Sequence, residues 1–174
     1  MSWGHATSKD LSHWEEQPIA LLARGFPDNI TEMFFTGSAV ADVNNTSGLG
    51  ADVAVYTSFV SLKENTHELA QVNLTLFWKY PITHTLRSGK SVKANQQSQS
   101  LVYSLDDGLT WQTYDSANPV IQTPPPKPYE DQYQNFRDPF IFWHEQTHRW
   151  VLVTALSEIR QFERLVRRKR IRPF

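Results

Sequence analysis

Two adjacent charged residues, Arg137 and Asp138, directly precede Pro139 and an apolar run in the stretch NFRDPFIFW. Because the residue before a proline favours extended backbone, we expect both charges at the entrance of a strand. Binding and catalytic residues often lie at such positions, where a loop meets a strand. The residues alone also allow a second interpretation, in which the pair is a structural ion pair.

Composition and charge limit the class of protein that carries this pair. The chain has 174 residues, 40% of them hydrophobic and 13% aromatic, which is typical of one globular domain. A formal net charge of -1 gives no indication of nucleic acid or of an anionic membrane as a partner. Cysteine is absent, so disulfides and thiolate metal sites are excluded, and no spacing of histidines or carboxylates indicates a metal; we expect no cofactor.

The sequence carries mixed signals about export. No run resembles a signal peptide or a membrane span. Four stretches nevertheless fit the N-glycosylation pattern and lean toward a secreted protein; they begin at Asn29, Asn44, Asn45 and Asn73.

The elements that must position Arg137 and Asp138 are strands. Short apolar or alternating runs, rich in β-branched and aromatic residues, predict strands at 19–23, 37–43, 52–59, 98–104, 139–144 and 149–156. Turn residues separate these runs, as in LDDG and VNNTSGLG. The spacing is typical of a sandwich, a barrel or a propeller, so the predicted fold class is all-β.

One turn narrows this choice. SLDDGLTW, residues 104–111, fits the Asp-box pattern Ser-x-Asp-x-Gly-x-Thr-Trp, which recurs in β-propellers. Its Asp binds turn amides, its Gly adopts a left-handed angle, and its Trp fills the core. TSKDLSHW, residues 7–14, has the same order of Ser, Asp and Trp without the Gly. We interpret the two as related hairpin turns, the alternative being two unrelated turns that end in Trp.

Five blocks in order resemble glycoside hydrolase family 32, the β-fructofuranosidases, and especially fungal-type invertases and exo-inulinases. They are SWGHATSKDLSHWEEQPIALL, FFTGSAVADVNNTSGLG, QSQSLVYSLDDGLTW, YDSANPVI and YQNFRDPFIFWH. The resemblance covers most of residues 2–158 and implies a five-bladed β-propeller, of which about two to three blades are present. It also implies an extracellular enzyme that hydrolyses terminal β-fructosyl bonds in sucrose or inulin-type fructans with retention of configuration.

The resemblance assigns roles to five residues. Asp138 matches the Asp of the family's Arg-Asp-Pro motif, which binds hydroxyls of the fructosyl ring and stabilises the oxocarbenium-like transition state. Arg137 matches its neighbour, which holds the substrate. Phe35 and Thr36 match a Phe-Ser-Gly-Ser region lining the fructose pocket, with Thr36 keeping the hydroxyl. Trp3 is a further candidate for this pocket, although packing in the core is the favoured interpretation for it.

Two catalytic groups of the family have no match in these residues. A retaining glycosidase needs a nucleophile and an acid/base. The family's nucleophile lies in an Asn-Asp-Pro-Asn-Gly motif upstream of the Trp-Gly-His-Ala block, and its acid/base lies in a Glu-Cys-Pro motif downstream of Arg-Asp-Pro. Neither motif occurs in the chain. We therefore expect these residues alone to be inactive, with Asp138 as the one member of the catalytic trio.

Two segments depart from the family pattern. Residues 60–79 separate Phe59 from Tyr80 where the family runs on almost directly, so we interpret them as a foreign insertion, and a retained intron translated in frame is the favoured hypothesis. Residues 159–174 form a basic tail unrelated to the family. The resulting division is a partial catalytic propeller over 1–158 and the tail. The alternatives to an enzyme piece are a non-catalytic fructan-binding module and a nonfunctional product of a truncated gene.

Overall fold

The computed structural model describes residues 1–25, 31–60, 83–126 and 133–156. Most of the predicted insertion and all of the predicted basic tail lie outside these residues. The described part is all-β, with ten strands and two 3₁₀ turns, Tyr133–Asn135 and Glu145–Thr147. The strands are β1 (Trp3–Thr7), β2 (Glu15–Leu21), β3 (Glu32–Ala41), β4 (Asp52–Val60), β5 (Thr83–Thr85), β6 (Ser91–Lys93), β7 (Gln97–Ser104), β8 (Gln112–Thr113), β9 (Phe136–His144) and β10 (Arg149–Leu156).

The strands form four antiparallel sheets, and each strand pairs with a strand close to it in the chain. β1 and β2 pair as a hairpin, β3, β4, β7 and β8 form a four-stranded sheet in that order, β5 pairs with β6, and β9 pairs with β10. Within the described residues, no helix is long and apolar enough to cross a membrane.

The four-stranded sheet is covered on both faces, which explains why β4 is a nearly continuous buried run. On one face, Tyr56 packs with Phe34 and with Leu21 of the preceding hairpin. On the other face lies β9, whose Ile141 donates its backbone N–H to Ser38 Oγ at 2.9 Å. Three successive sheets are therefore stacked face to face, as a propeller requires.

The Asp-box turn joins β7 to β8 and has the predicted geometry. Asp106 accepts the N–H of Thr110 at 2.8 Å and its hydroxyl at 2.6 Å. Gly108 has a φ of +82°, and its carbonyl accepts the indole N–H of Trp111 at 2.9 Å. Trp111 packs against the core cluster. Hydrogen bonds to the carboxylate of Asp106, chiefly the one from the hydroxyl of Thr110, hold the pKa of Asp106 below its usual value.

The turn between β1 and β2 repeats this network without a glycine. Asp10 accepts the N–H groups of Ser12 and His13 at 2.9 and 2.8 Å, and Leu11 takes a φ of +64°. The carbonyl of Leu11 accepts the indole N–H of Trp14 at 3.1 Å, as that of Gly108 does in the other turn. The two turns are thus related. The two turns differ in their Trp, because Trp14 is 58% exposed whereas Trp111 packs against the core cluster.

The predicted strand limits are accurate for three strands and shifted for others. β4, β7 and β10 match their predicted runs to within one residue. β2 begins four residues before the predicted start and ends two residues before the predicted end, and β3 begins five residues early and ends two residues early. β2 is mostly exposed, so apolar character does not mark its limits.

Candidate functional site

A β-bulge in β3 presents Phe35 and Thr36 together. Phe34 pairs with Ser58 and Gly37 pairs with Tyr56, so two residues of β3 oppose Thr57 alone. Bulges re-aim side chains and are common beside active sites. The bulge places Phe35 and Thr36 at one point of the sheet.

Gly37 lets the bulged strand approach its neighbours. A Cβ at this position would lie 2.0 Å from the carbonyl oxygen of Val55 and 2.9 Å from the ring of Trp3. Real Cβ atoms do not come so close to backbone, so only glycine fits. The indole N–H of Trp3 donates to the carbonyl of Phe35 at 2.8 Å and fixes the bulge from the other side. Trp3 is half-buried against the core cluster, so the structure gives it a packing position next to Phe35.

A second bulge, in β9, carries Asp138. Phe140 pairs with Val153 and Arg137 pairs with Ala155, so Asp138 and Pro139 together oppose Thr154. The hydroxyl of Thr154 donates to the carbonyl of Arg137 at 2.7 Å. The expectation of extended backbone at Asp138 is wrong, since its φ is +59°. The bulge overrides the local preference that a following proline imposes.

The two bulges are joined through Thr57, which is fully buried. Its Oγ1 accepts the backbone N–H of Asp138 at 3.0 Å and donates to Oε1 of Gln99 at 3.1 Å. Gln99 in turn donates to the carbonyl of Phe136 at 2.8 Å. Asp138 is thereby held in a left-handed conformation that non-glycine residues rarely adopt. Thr57 and Gln99 were missed from the sequence, where the only signal is a polar residue inside a predicted strand.

The side chains of Arg137 and Asp138 remain accessible. They are 46% and 47% exposed, and Arg137 Nε lies 3.8 Å from Asp138 Oδ2. This separation is too long for a hydrogen bond, and exposed pairs contribute at most about 1 kcal/mol to stability. Within the described residues, no hydrogen bond reaches the carboxylate of Asp138. The geometry does not favour the interpretation of the two residues as a structural ion pair.

The two residues of the β3 bulge differ in exposure. Thr36 is exposed, while Phe35 is half-buried and stacks on Phe59 with ring centroids 4.9 Å apart and planes 4° from parallel. The site therefore combines an aromatic surface, an exposed hydroxyl and an exposed carboxylate with its neighbouring guanidinium. Such a set can bind a polyhydroxylated ligand, with the ring face on the aromatic group and the hydroxyls on the polar groups.

A second polar cluster lies on the opposite face of the four-stranded sheet. Glu32 is buried and pairs with Arg24 at 2.7 Å, and it accepts the hydroxyls of Tyr56 at 3.3 Å and Ser58 at 2.5 Å. Arg24 also pairs with Asp115. A cavity of about 240 Å³ lies beside this cluster and is lined by Arg24, Glu32, Tyr56 and Asp115, among others.

The pKa shifts in this cluster follow from burial and pairing. Burial, reinforced by the charge of Glu32, raises the pKa of Tyr56 well above its usual value. Burial alone would lower the pKa of Arg24, but the charges of Glu32 and Asp115 outweigh it and raise that pKa. The partners satisfy one another, so we assign the cluster to structure. Over the ranges described, no group of three or more metal-ligating residues forms a metal site.

The chain is similar in sequence to a known protein family and to characterised relatives. The family model described as "Glycosyl hydrolases family 32 N-terminal domain" matches residues 1–166. An extracellular exo-inulinase of Aspergillus niger is 58% identical over 91% of this chain and 27% of its own length. The chain therefore spans about a quarter of the length of this curated relative.

Solved structures give the same result for the fold. The crystal structure of exo-inulinase from Aspergillus awamori superimposes with a TM-score of 0.71 and 57% identity, over 88% of this chain and 27% of that one. The structure of a β-fructofuranosidase from Schwanniomyces occidentalis, complexed with fructosyl-erythritol, superimposes with a TM-score of 0.57 and 31% identity. This match covers 88% of this chain and 23% of that one. The prediction of an all-β, partial propeller is confirmed.

Proposed function

The chain belongs to glycoside hydrolase family 32, and on that premise we propose that it is part of an extracellular retaining β-fructofuranosidase. Its reaction is the hydrolysis of terminal β-fructosyl bonds in sucrose or inulin-type fructans. The relatives named above are an extracellular exo-inulinase and enzymes of the fructofuranosidase class, which supports both the substrate class and the location.

The observation that carries this proposal is the conformation of Asp138. Its backbone is held at a φ of +59° by the buried hydroxyl of Thr57, while its carboxylate stays exposed and unbonded within the described residues. Such an acceptor is preorganised, because the protein has already paid the conformational cost of placing it. As the glycosidic bond breaks, positive charge develops on the fructosyl ring, and Asp138 stabilises it while binding ring hydroxyls.

The other four residues bind and position the sugar. Arg137 donates to substrate hydroxyls from beside Asp138, and Thr36 offers its exposed hydroxyl from the β3 bulge. Phe35 supplies an aromatic surface, and its stacking on Phe59 keeps that ring from rotating. Trp3 acts through Phe35, since its indole N–H binds the Phe35 carbonyl.

The 174 residues tested alone are expected to bind a fructoside without cleaving it. The resemblance places the nucleophile and the acid/base in motifs that this sequence does not contain. Both groups are needed for the two-step retaining reaction.

Calorimetric titration with short inulin-type oligosaccharides tests the proposed site. The Asp138→Asn variant keeps the shape and tolerance for a left-handed backbone but removes the charge, so the affinity should fall about 10- to 100-fold, which corresponds to one charged hydrogen bond of about 1.5 to 3 kcal/mol. Asp107→Asn is the matched control, because Asp107 is exposed at a φ of +55° in the Asp-box turn. If the two variants lose affinity equally, or if neither loses affinity, Asp138 does not bind the fructoside.

A fructose-release assay on the same samples tests the second expectation. Wild-type chain should bind and release no fructose. Release that disappears in Asp138→Asn would support the family activity and show that the expectation of inactivity is wrong.

A further inference from the structure

The peptide group between Arg137 and Asp138 is held at both of its polar ends by threonine hydroxyls. Its carbonyl, which belongs to Arg137, accepts the hydroxyl of Thr154 at 2.7 Å. Its N–H, which belongs to Asp138, donates to Oγ1 of Thr57 at 3.0 Å. Thr154 lies in β10 and Thr57 lies in β4, so two different sheets fix the plane of this one peptide group.

The conformation at this peptide group decides which way the two charged side chains face. In a regular strand, successive side chains point to opposite faces. Arg137 and Asp138 break this alternation, since both are exposed. The residues on either side of them, Phe136 and Pro139, are buried. The φ of +59° at Asp138 is the kink of the bulge that puts two consecutive side chains on the same face.

The local sequence does not favour this kink. A residue before proline prefers an extended backbone with a φ of about −120°. Rotation of the peptide between Arg137 and Asp138 by half a turn would bring Asp138 close to that preferred conformation. The carbonyl and the N–H would then point away from Thr154 and Thr57, and neither hydrogen bond could form. The two hydroxyls therefore select the kinked conformation over the extended one.

The two threonines differ in what else they bind. Thr57 is fully buried and also donates to Gln99, so its hydroxyl belongs to the core. Thr154 lies opposite the bulge and is half-buried, and in the described part of the chain its hydroxyl makes only the hydrogen bond to Arg137. A change at Thr154 therefore tests the kink without disturbing the core.

We propose that Thr154 is a positioning residue of the fructoside site. Its hydroxyl holds the carbonyl of Arg137 and so keeps the side chains of Arg137 and Asp138 facing the substrate together. It acts through this peptide group and not by contact with the sugar. The inference rests on the proposed function for the identity of the substrate, whereas the kink is a property of the chain without ligand.

NMR of the full chain without ligand tests the effect on the kink. Thr154→Val removes the hydroxyl and keeps the shape of the side chain, whereas Thr154→Ser keeps the hydroxyl. The cross-peak between the amide proton and the α-proton of Asp138 is strong when φ is positive, because the two protons are then close. We expect a strong cross-peak in the wild type and in Thr154→Ser and a weak one in Thr154→Val. A strong cross-peak in Thr154→Val would overturn the proposal.

Calorimetric titration with short inulin-type oligosaccharides tests the effect on the site. The affinity of Thr154→Val should fall about 3- to 10-fold, the effect of one neutral hydrogen bond, and that of Thr154→Ser should stay within about twofold of the wild type. Thr85→Val is the matched control, because Thr85 is exposed and lines the cavity on the opposite face of the sheet. Its affinity should equal that of the wild type.

The outcomes separate this proposal from the proposed function. A wild-type chain that shows the cross-peak but binds no fructoside would contradict the proposed function. A wild-type chain that binds, together with a Thr154→Val variant that binds equally well, would contradict only the positioning role of Thr154.

Discussion

Replacing Thr57 by valine removes the hydroxyl that holds Asp138 and leaves the shape of the side chain almost unchanged. Thr57 and Gln99 are fully buried, so Oε1 of Gln99 loses a donor that water cannot replace, at a cost of about 1 to 3 kcal/mol. The N–H of Asp138 is nearer to solvent, so the loss of its hydrogen bond to Thr57 should cost about 1 kcal/mol. The free energy of unfolding should therefore fall by about 2 to 4 kcal/mol.

Thr57→Ser is the matched control, because it keeps both hydrogen bonds and loses one buried methyl group, worth about 1 kcal/mol. Urea unfolding of both variants gives the comparison, and amide hydrogen exchange at Asp138 shows whether the valine variant releases the bulge. A valine variant that is no less stable than the serine variant would refute the view that the hydroxyl of Thr57 fixes the site.

Three further predictions follow from the local geometry. Gly37→Ala should destabilise by about 3 kcal/mol in thermal unfolding, because its Cβ meets the Val55 carbonyl, whereas Gly4→Ala, with no atom within 4 Å, should be near neutral. Leu11→Asn should stabilise by about 0.5 to 1 kcal/mol in urea unfolding, since exposed Leu11 has a φ of +64° that asparagine tolerates. Burial would raise the pKa of Asp42, but hydrogen bonds from Ser47 and Thr46 outweigh it and lower that pKa. The stability from Asp42 is therefore present above about pH 4 and is lost as the pH falls through the lowered pKa. Urea midpoints at pH 7 and pH 3 should differ less in Asp42→Asn than in the wild type. Equal differences in the two proteins would contradict the stabilising role of the ionised Asp42 carboxylate.

The sequence predicted those parts of the fold where one signal dominates. β4 and β7 are buried runs, and the Asp box has a fixed order of residues, so all three were located accurately. β8 has two residues and shows no pattern of its own, so it escaped prediction. Pairing with β7 across the Asp-box turn makes these two residues a strand, and their own types do not indicate that pairing.

The candidate site was only partly predictable for the same reason. The resemblance located Asp138 and Thr36 by motif, but the two bulges that expose them arise from pairing register, which no short stretch encodes. The contact from Asp138 to Thr57 joins residues 81 positions apart. Local rules therefore gave the wrong backbone for Asp138, and its positive φ became visible only in the folded sheet.

Amide chemical-shift mapping with a fructosyl oligosaccharide shows whether the β3 and β9 bulges form one fructoside site around Asp138. We expect the largest shifts on Phe35, Thr36, Arg137 and Asp138, and we expect Asp138→Asn to abolish them. Shifts centred on the Arg24 and Glu32 cluster, on the opposite face of the sheet, would contradict this expectation.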